Sequence, residues 1–471
     1  MFLMRYRRLP RSAQCLLGSL LLVSAGCLVG CASLPDAQFV GERYAVQAAR
    51  FEGVRGPLSA RQSAALLARL KRGAGALDLL DRQIALEQEI GGSPLVLGNA
   101  VALLQDGPAT YAAMFAAIAA ARDHINIESY IVDDSAVGER FAAALLGKQA
   151  AGVQVNLIYD SVGALATGPA YFERLRAGGV AVVEFNPLNP LVAKAGWSPN
   201  HRDHRKLMVV DGRIAFLGGI NISSVYASGS SPRRESRAAP ADGGWRDTDV
   251  RIEGPVVAEF QKLFLQTFAA QHGGAAVARD YFPAPLARGG EIVRAIGSTP
   301  DDPYSLIYLT LLSAITNAEK RVHITQAYFV PDPQLVQALL AAAARGVEVQ
   351  LILPERSDSN AALYAGRSHF SQLLEGGVRI HERHGAMLHV KSAVIDGVWS
   401  CVGSSNLDWR SALDNEEINA VILGAGFAAQ MESAFAADLA AADEITPARW
   451  AARPLLQRFK EWTARLFGRL L

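Results

Sequence analysis

The sequence predicts an α/β protein made of two copies of one unit, each a mixed β-sheet flanked by helices, packed about a pseudo-two-fold axis with a site between them. Apolar runs of strand length alternate with amphipathic helical windows from Pro94 onward, which is the pattern of an α/β chain. The alternation occurs twice at a nearly constant offset: Tyr130 to Tyr328 and Gly179 to Gly377 are 198 residues apart, and Gly152 to Gly346 is 194. A chain with only nine histidines also sets His204 and His389, 185 residues apart, in matching surroundings: HRKLMVVDG and HVKSAVIDG.

The elements follow in chain order. Residues 1–30 read as a signal peptide of lipoprotein type: Arg5, Arg7, Arg8 and Arg11 precede an apolar run over 16–29, too short to span a bilayer as a stable helix. The run ends in Leu28-Val29-Gly30-Cys31, which resembles a bacterial lipobox and implies Cys31 as the lipidated first residue of the mature chain. A plain signal peptide is the alternative, and Cys27 is a poorer acceptor because no aliphatic residue stands three places before it. More than one acyl chain, at about 0.8 kcal/mol per buried methylene, gives lasting attachment. Cys401 is then the only other cysteine of the mature chain, so no internal disulfide is available in an oxidising compartment. The expected location is the cell envelope, lipid-anchored and facing the periplasm, with the outer membrane favoured because Ala32-Ser33 lacks the aspartate that retains such proteins in the inner membrane.

Residues 31–95 read as a helical spacer, with Leu66, Leu67, Leu70, Leu77, Leu79 and Leu80 at helical spacing and no chemical constellation. Residues 96–285 form the first copy and 286–445 the second. Each reads helix, strand ending in an aromatic, helix, AGV or RGV turn, buried strand, helix, GGV turn, strand. Residues 227–244 (ASGSSPRRESRAAPADGG) carry no apolar period and read as a mobile loop, solvated or with its arginines on lipid headgroups. Residues 446–471 place Leu455, Phe459, Trp462, Leu466 and Leu470 on one stripe with Arg453, Arg458, Lys460, Arg465 and Arg469 around it. That composition suits a basic helix in a membrane interface, or one packed on the protein's own surface.

Composition bounds the partners. Half of the 471 residues are hydrophobic and 19% charged, a globular balance. The net charge is +1, and about −3 once the four leader arginines are gone, leaving 42 basic against 45 acidic side chains. This excludes a protein that holds nucleic acid by bulk charge.

The shared motif is His-x-Lys, four residues, Asp, six residues, Gly, a small residue, one residue, Asn. It comprises His204, Lys206, Asp211, Gly218, Gly219 and Asn221, then His389, Lys391, Asp396, Gly403, Ser404 and Asn406. One copy alone would be weak; two complete copies at matching points of a repeat are strong. Matching loops of two related halves meet at their axis. Alternation puts each histidine on the same strand face as its lysine. Two imidazoles and two ammoniums suit a phosphodiester, whose non-bridging oxygens lysines, Asn221, Asn406 and Ser404 can hold. One neutral histidine attacks phosphorus while the other, protonated, serves the leaving alcohol. The two need unequal pKa values, which Glu417 and either Asp247 or Asp249 can arrange. No metal is required, since lysines neutralise the phosphate; His201, His381 and His384 fit no helix-borne ligand pair.

These residues resemble the HKD signature of the phospholipase D superfamily, and residues 95–445 look like its bacterial cardiolipin synthase branch. The resemblance rests on NHRDHRKLMVVDGRIAFLGGIN, LHVKSAVIDG, VGSSNLDWRSALDNEEIN, YFVPD at 328–332 and IESYIVDD at 127–134. It implies two phospholipase D-like halves, His204, Lys206, Asp211, His389, Lys391 and Asp396 as the catalytic set, His204 as nucleophile and His389 as acid and base. Symmetry alone makes no such choice. The first copy departs from the usual Gly-Ser with Gly218-Gly219, a variant that the branch tolerates.

The motif names a bond rather than a molecule. Anchoring, the basic terminal helix and a near-neutral charge favour lipid over DNA. The expected activity is transfer of a phosphatidyl group to phosphatidylglycerol, giving cardiolipin, with phosphatidylglycerol or phosphatidylethanolamine as donor, no cofactor and no nucleic-acid partner. A phospholipase D hydrolase, a metal-independent periplasmic nuclease and a non-catalytic lipid-binding lipoprotein are the rivals.

Overall fold

The computed structural model describes residues 49–74, 79–80, 83–84, 93–189, 197–229, 244–272, 276–302 and 305–471. The signal peptide, Cys31, Leu77 and residues 230–243 of the expected loop lie outside these.

The first strands are β1 (Phe51–Gly53) and β2 (Gly56–Pro57), followed by the helix Ala60–Ala74. The spacer is therefore not wholly helical: Phe51 pairs in parallel with Leu95 and adds β1 to the sheet. Three residues are too short a run to show a period of two in the sequence.

The first half contains β3 (Leu95–Gln105), β4 (His124–Ser129), β5 (Gln154–Asp160), β6 (Ala181–Phe185), β7 (Arg202–Asp203), β8 (Lys206–Val210), β9 (Ile214–Gly218), β10 (Trp245–Arg246) and β11 (Thr248–Glu253). The second contains β12 (Glu291–Ser298), β13 (Arg321–Gln326), β14 (Glu348–Pro354), β15 (Arg379–Arg383), β16 (Met387–Leu388), β17 (Lys391–Ile395), β18 (Trp399–Gly403), β19 (Asn415–Leu423) and β20 (Ala442–Glu444). In each half the strands joined by helical crossovers pair in parallel (β4–β5–β6 and β13–β14–β15), and the hairpins pair antiparallel. Those crossovers need covered sheet faces, which the flanking helices supply.

The order β6-β5-β4-β8-β9-β11-β3 in one half is mirrored by β15-β14-β13-β17-β18-β19-β12 in the other, and β3 pairs antiparallel with β12 at the middle. Two short ladders also cross between halves: β7 pairs with β19 and β10 with β16. Because β7 leads into β8 as β16 leads into β17, and β10 leads into β11, the counterpart of β19, each half gives and receives the same kind of strand, as a two-fold relation requires. One apolar core is common to both halves and includes Val250, Phe260, Phe264, Val293, Val402 and Ile418.

Ion pairs pin the short ladders. Behind the first, Arg205 lies 3.0 Å from Glu416 and 3.6 Å from Glu128; behind the second, Asp438 holds Arg246 at 2.9 Å and Arg383 at 3.0 Å. Glu128, Asp203 and Glu416 bring carboxylate oxygens within 4.8 Å of one another, and the Arg205 guanidinium already supplies their cation.

The aspartates of the two motifs are turn residues, correcting their expected place in the catalytic set. Asp211 and Asp396 sit at φ of 52° and 53° in the Asp-Gly turns after β8 and β17. The Asp211 carboxylate accepts the N–H groups of Arg122, Asp123 and His124 at 2.8–3.0 Å, and Asp396 those of Glu319, Lys320 and Arg321 at 2.7–2.9 Å. Each ties a hairpin to the start of its neighbouring strand. Asp211→Ala and Asp396→Ala should each cost about 3 kcal/mol of stability in denaturant unfolding, because three N–H groups lose a charged acceptor. The KM of the folded fraction should remain within about twofold of wild type, since no substrate contact is removed.

Candidate active site

His204 and His389 each stand in the link between a two-residue interface strand and a long core strand. The His204 N–H donates to Glu416 O at 2.9 Å and the His389 N–H to Arg246 O at 2.8 Å, so the backbone next to each imidazole is fixed by the opposite half. The side chains cross the same boundary. His204 Nδ1 lies 3.0 and 3.1 Å from the Glu417 carboxylate oxygens, and His389 Nδ1 lies 2.6 Å from Asp247 Oδ2. Both histidines line one cavity of about 300 Å³, walled also by Tyr130, Tyr328, Trp245, Asn221 and Asn406.

The pseudo-symmetry extends to the lysines. Lys206 Nζ donates to His204 O at 2.5 Å and Lys391 Nζ to His389 O at 2.6 Å. Each ammonium also faces a tyrosine ring, Tyr130 at 5.4 Å and Tyr328 at 5.9 Å, and the same rings meet the imidazoles edge-on. Tyr226 has no twin in this arrangement. Its hydroxyl accepts from Asn221 Nδ2 at 2.9 Å and lies 3.4 Å from His389 Nδ1.

Comparison with known proteins agrees with this geometry. The family described as "Cardiolipin synthase, PLD-like domain" matches residues 114–230 and 311–439. A cardiolipin synthase of Geobacillus kaustophilus is 34% identical over 393 residues, 82% of this chain and 76% of the relative. Cardiolipin synthase A of Pseudomonas entomophila is 37% identical over 365 residues, 76% of this chain and 72% of the relative. The chain belongs to the cardiolipin synthase family of the phospholipase D superfamily. Its fold is also that of a phosphatidylserine synthase from Haemophilus influenzae, with a TM-score of 0.63 over 82% of this chain and 96% of the other at 12% identity.

Within this cardiolipin synthase-family site, several expected residues have other duties. Asp249 touches neither histidine: Oδ1 accepts the Ile220 N–H at 3.1 Å, and in the mirrored strand order Asp249 falls opposite Asn419, which accepts the Ser405 N–H. Burial pushes its carboxyl well above the usual range. Ser404 is not a phosphate donor. Its hydroxyl donates to Glu417 Oε2 at 2.5 Å and accepts the Ile418 N–H at 2.9 Å. Asn221 lines the cavity, but its Oδ1 accepts the Ile131 N–H at 3.0 Å. Asn406 lines it as well.

The first copy's Gly219 now has a physical cause. A Cβ there would stand 2.3 Å from Asp247 Oδ1 and 2.4 Å from Oδ2. The second copy uses serine with a long glutamate, whereas the first uses glycine with a short aspartate that occupies the space of the missing side chain. Tyr226, Arg410 and Asp358 also belong to the site and escape the motif; only Tyr130 and Tyr328 were visible, as aromatics recurring at the repeat offset.

Electrostatics separate the two halves of the pair. Burial holds His204 down at about 4, against the pull of Glu417. Burial raises Glu417, but His204, Lys206 and the Ser404 hydroxyl outweigh it and leave the carboxylate below its usual range. The pair is therefore carboxylate and neutral imidazole, with Nδ1–H donating and the Nε2 lone pair free. On the other side, burial lifts Asp247 to about 7, against Lys391, while burial and both lysines hold His389 down. That pair shares one extra proton near neutrality, which leaves Nε2–H able to donate. Burial lowers Lys206 to about 7 and Lys391 to about 8, their mutual repulsion adding to the shift of Lys206.

On the acid side, kcat/KM should rise with pH as His204 loses its proton through about 4. On the alkaline side it should fall through about 7, as the Asp247–His389 pair and Lys206 lose theirs. Asp247→Asn should move the alkaline limb to lower pH in the same profile, since the His389 imidazolium loses its counter-charge. Gly219→Ala should lower kcat about a hundredfold without unfolding the protein, by displacing the carboxylate that aligns His389.

Proposed function

We propose that this chain is a phosphatidyltransferase that makes cardiolipin through a phosphohistidine on His204. The observation that carries the reading is the pair of cross-held imidazoles on one cavity, each with its Nδ1 against a carboxylate of the other half. Its family supports the substrate class: relatives of this chain are cardiolipin synthases over three quarters of their length.

In the first half-reaction His204 Nε2 attacks the phosphorus of a phospholipid. The N–P bond forms as the P–O bond to the headgroup breaks, and His389 gives its proton to the departing alkoxide oxygen. In the second, the terminal hydroxyl of phosphatidylglycerol gives its proton to His389 and forms a new P–O bond as the N–P bond breaks. The buried lysines place positive charge beside the phosphate oxygens in both steps. The donor is phosphatidylglycerol, releasing glycerol, or phosphatidylethanolamine, releasing ethanolamine. Transfer instead of hydrolysis requires a dry intermediate, and the tyrosine and tryptophan walls of the cavity suit that need. The signal segment and Cys31 fit attachment in the cell envelope, on the periplasmic side and with the outer membrane favoured.

Purified wild type given phosphatidylglycerol labelled in its phosphate should yield cardiolipin and, on rapid quenching, an acid-labile phosphohistidine. His204→Ala should give neither. His389→Ala should lower turnover by about a thousandfold or more, as expected when a positioned acid and base is removed. Phosphatidic acid as the sole product in the presence of excess phosphatidylglycerol would replace the transferase reading with a hydrolase.

A further inference from the structure

The last helix of the chain is packed inside out. Leu455–Leu466 turns Glu461 inward, where it is 2% exposed and accepts from Arg453 Nε and Gln457 Nε2, each at 2.9 Å. Its outward stripe is apolar: Leu455 is 79% exposed, Phe459 59%, Trp462 58% and Leu466 65%. Each such side chain left in water forgoes the gain of burying its apolar area. A helix selected only to cover this surface would present the opposite face to it.

We propose that this stripe is a bilayer-docking surface that seats the mouth of the catalytic cavity on an anionic lipid leaflet. Three observations name the occupant. Arg458, Lys460, Arg465 and Arg469 flank the stripe and are exposed, and each basic group near an anionic surface adds to its attraction. A second copy of the chain would bring these cations against their own kind. The helix is also held in this orientation from the protein side, with Lys460 over the Tyr364 ring at 5.2 Å and Arg453 over Trp450 at 4.1 Å. Finally, the chain turns through Gly468–Leu470 and its last two residues, Leu470 and Leu471, line the cavity that holds His204 and His389. The exposed apolar residues Leu466, Phe467 and Leu470 thus lead from the helix to the cavity lining, giving acyl chains a path along which a headgroup can rise to the histidines while its tails stay in lipid.

That role in delivery rests on the phosphatidyltransferase reading, whereas docking does not, and the test separates them. The full chain is reconstituted with vesicles of phosphatidylglycerol and phosphatidylethanolamine carrying brominated acyl chains, and tryptophan fluorescence is compared between wild type and Trp462→Phe. Wild type should show a quenched component that the variant lacks. Equal quenching in the two would overturn docking at this face. In parallel, Phe459→Glu/Trp462→Glu should lose at least tenfold in turnover of vesicle phosphatidylglycerol while keeping its activity on monomeric dihexanoyl phosphatidylglycerol within twofold. Unchanged vesicle turnover would overturn the proposal. A detergent-solubilised dimer that the double variant dissolves, with no bromine quenching of Trp462, would assign the face to a second copy instead. Wild type inactive on monomeric lipid yet quenched at Trp462 would sink the catalytic reading and leave docking standing.

Discussion

Each catalytic-site imidazole is held by a buried carboxylate from the other half of the molecule. His204 has Glu417 and His389 has Asp247, all four deep in the interface. A carboxylate taken out of water and left alone costs several kcal/mol, so neither half can keep its charge without the other's ring. This constraint explains the short ladders β7–β19 and β10–β16, each only two residue pairs long. They set the histidine backbone opposite the strand that brings the carboxylate, and the Arg205 and Arg246 ion pairs hold those strands in register. Site and interface are one construction, and a single half would have an imidazole without an orienting group.

Two near-identical motifs then yield two different protonation states. The difference lies outside the motif residues that repeat. Glu417 reaches His204 with a hydroxyl from Ser404 on its second oxygen, which helps to keep it ionised. Asp247 sits over Gly219 with no hydroxyl from that position, and burial drives it up to about 7. One carboxylate thus fixes a neutral ring with a free lone pair, and the other shares a proton with its ring. The two copies thus differ in the carboxylate and in the one side chain beside it, Glu417 with Ser404 and Asp247 with Gly219, while the histidines and lysines are unchanged, and the proposed acid and nucleophile roles rest on that difference.

The repeat and both histidines were legible because they depend on periodicity and offset, which a sequence carries directly. The mirrored sheet matches the helix and strand alternation read from residues 95–445, while the strand order is seen only in the fold. What the sequence hid depends on neighbours across space. Asp247 and Asp249 lie two apart in sequence, but Asp247 stands in the link between β10 and β11 and Asp249 within β11, and only the fold shows which of them reaches a histidine. Ser404 bears a hydroxyl that suits a phosphate until Glu417 is found to take it. Asp211 and Asp396 recur as faithfully as the histidines because an Asp-Gly turn with three backbone N–H groups to satisfy is as demanding as a catalytic step. Recurrence in a duplicated chain marks constraint, and geometry must say of which kind. Tyr226 recurs in neither motif and meets His389 only through the fold.

In the proposed reaction, the surroundings of the cavity bear on the fate of the phosphohistidine. The N–P bond is consumed by whichever hydroxyl arrives first, and bulk water is far more concentrated than any lipid. Transfer therefore needs a site that water enters poorly and lipid enters well. The rings of Tyr130, Tyr328 and Trp245 occupy the walls next to the imidazoles, and Leu470 and Leu471 stand at the rim. The polar groups of the same lining, Asp358, Asp408 and Arg410, offer hydrogen bonds to an entering headgroup. An acceptor whose hydroxyl is carried on a glycerol headgroup can meet both kinds of wall at once, whereas water gains only from the polar one. Selection of the lipid alcohol is then a matter of differential binding at the second step, made by the shape and polarity of the cavity without any change in the histidine chemistry.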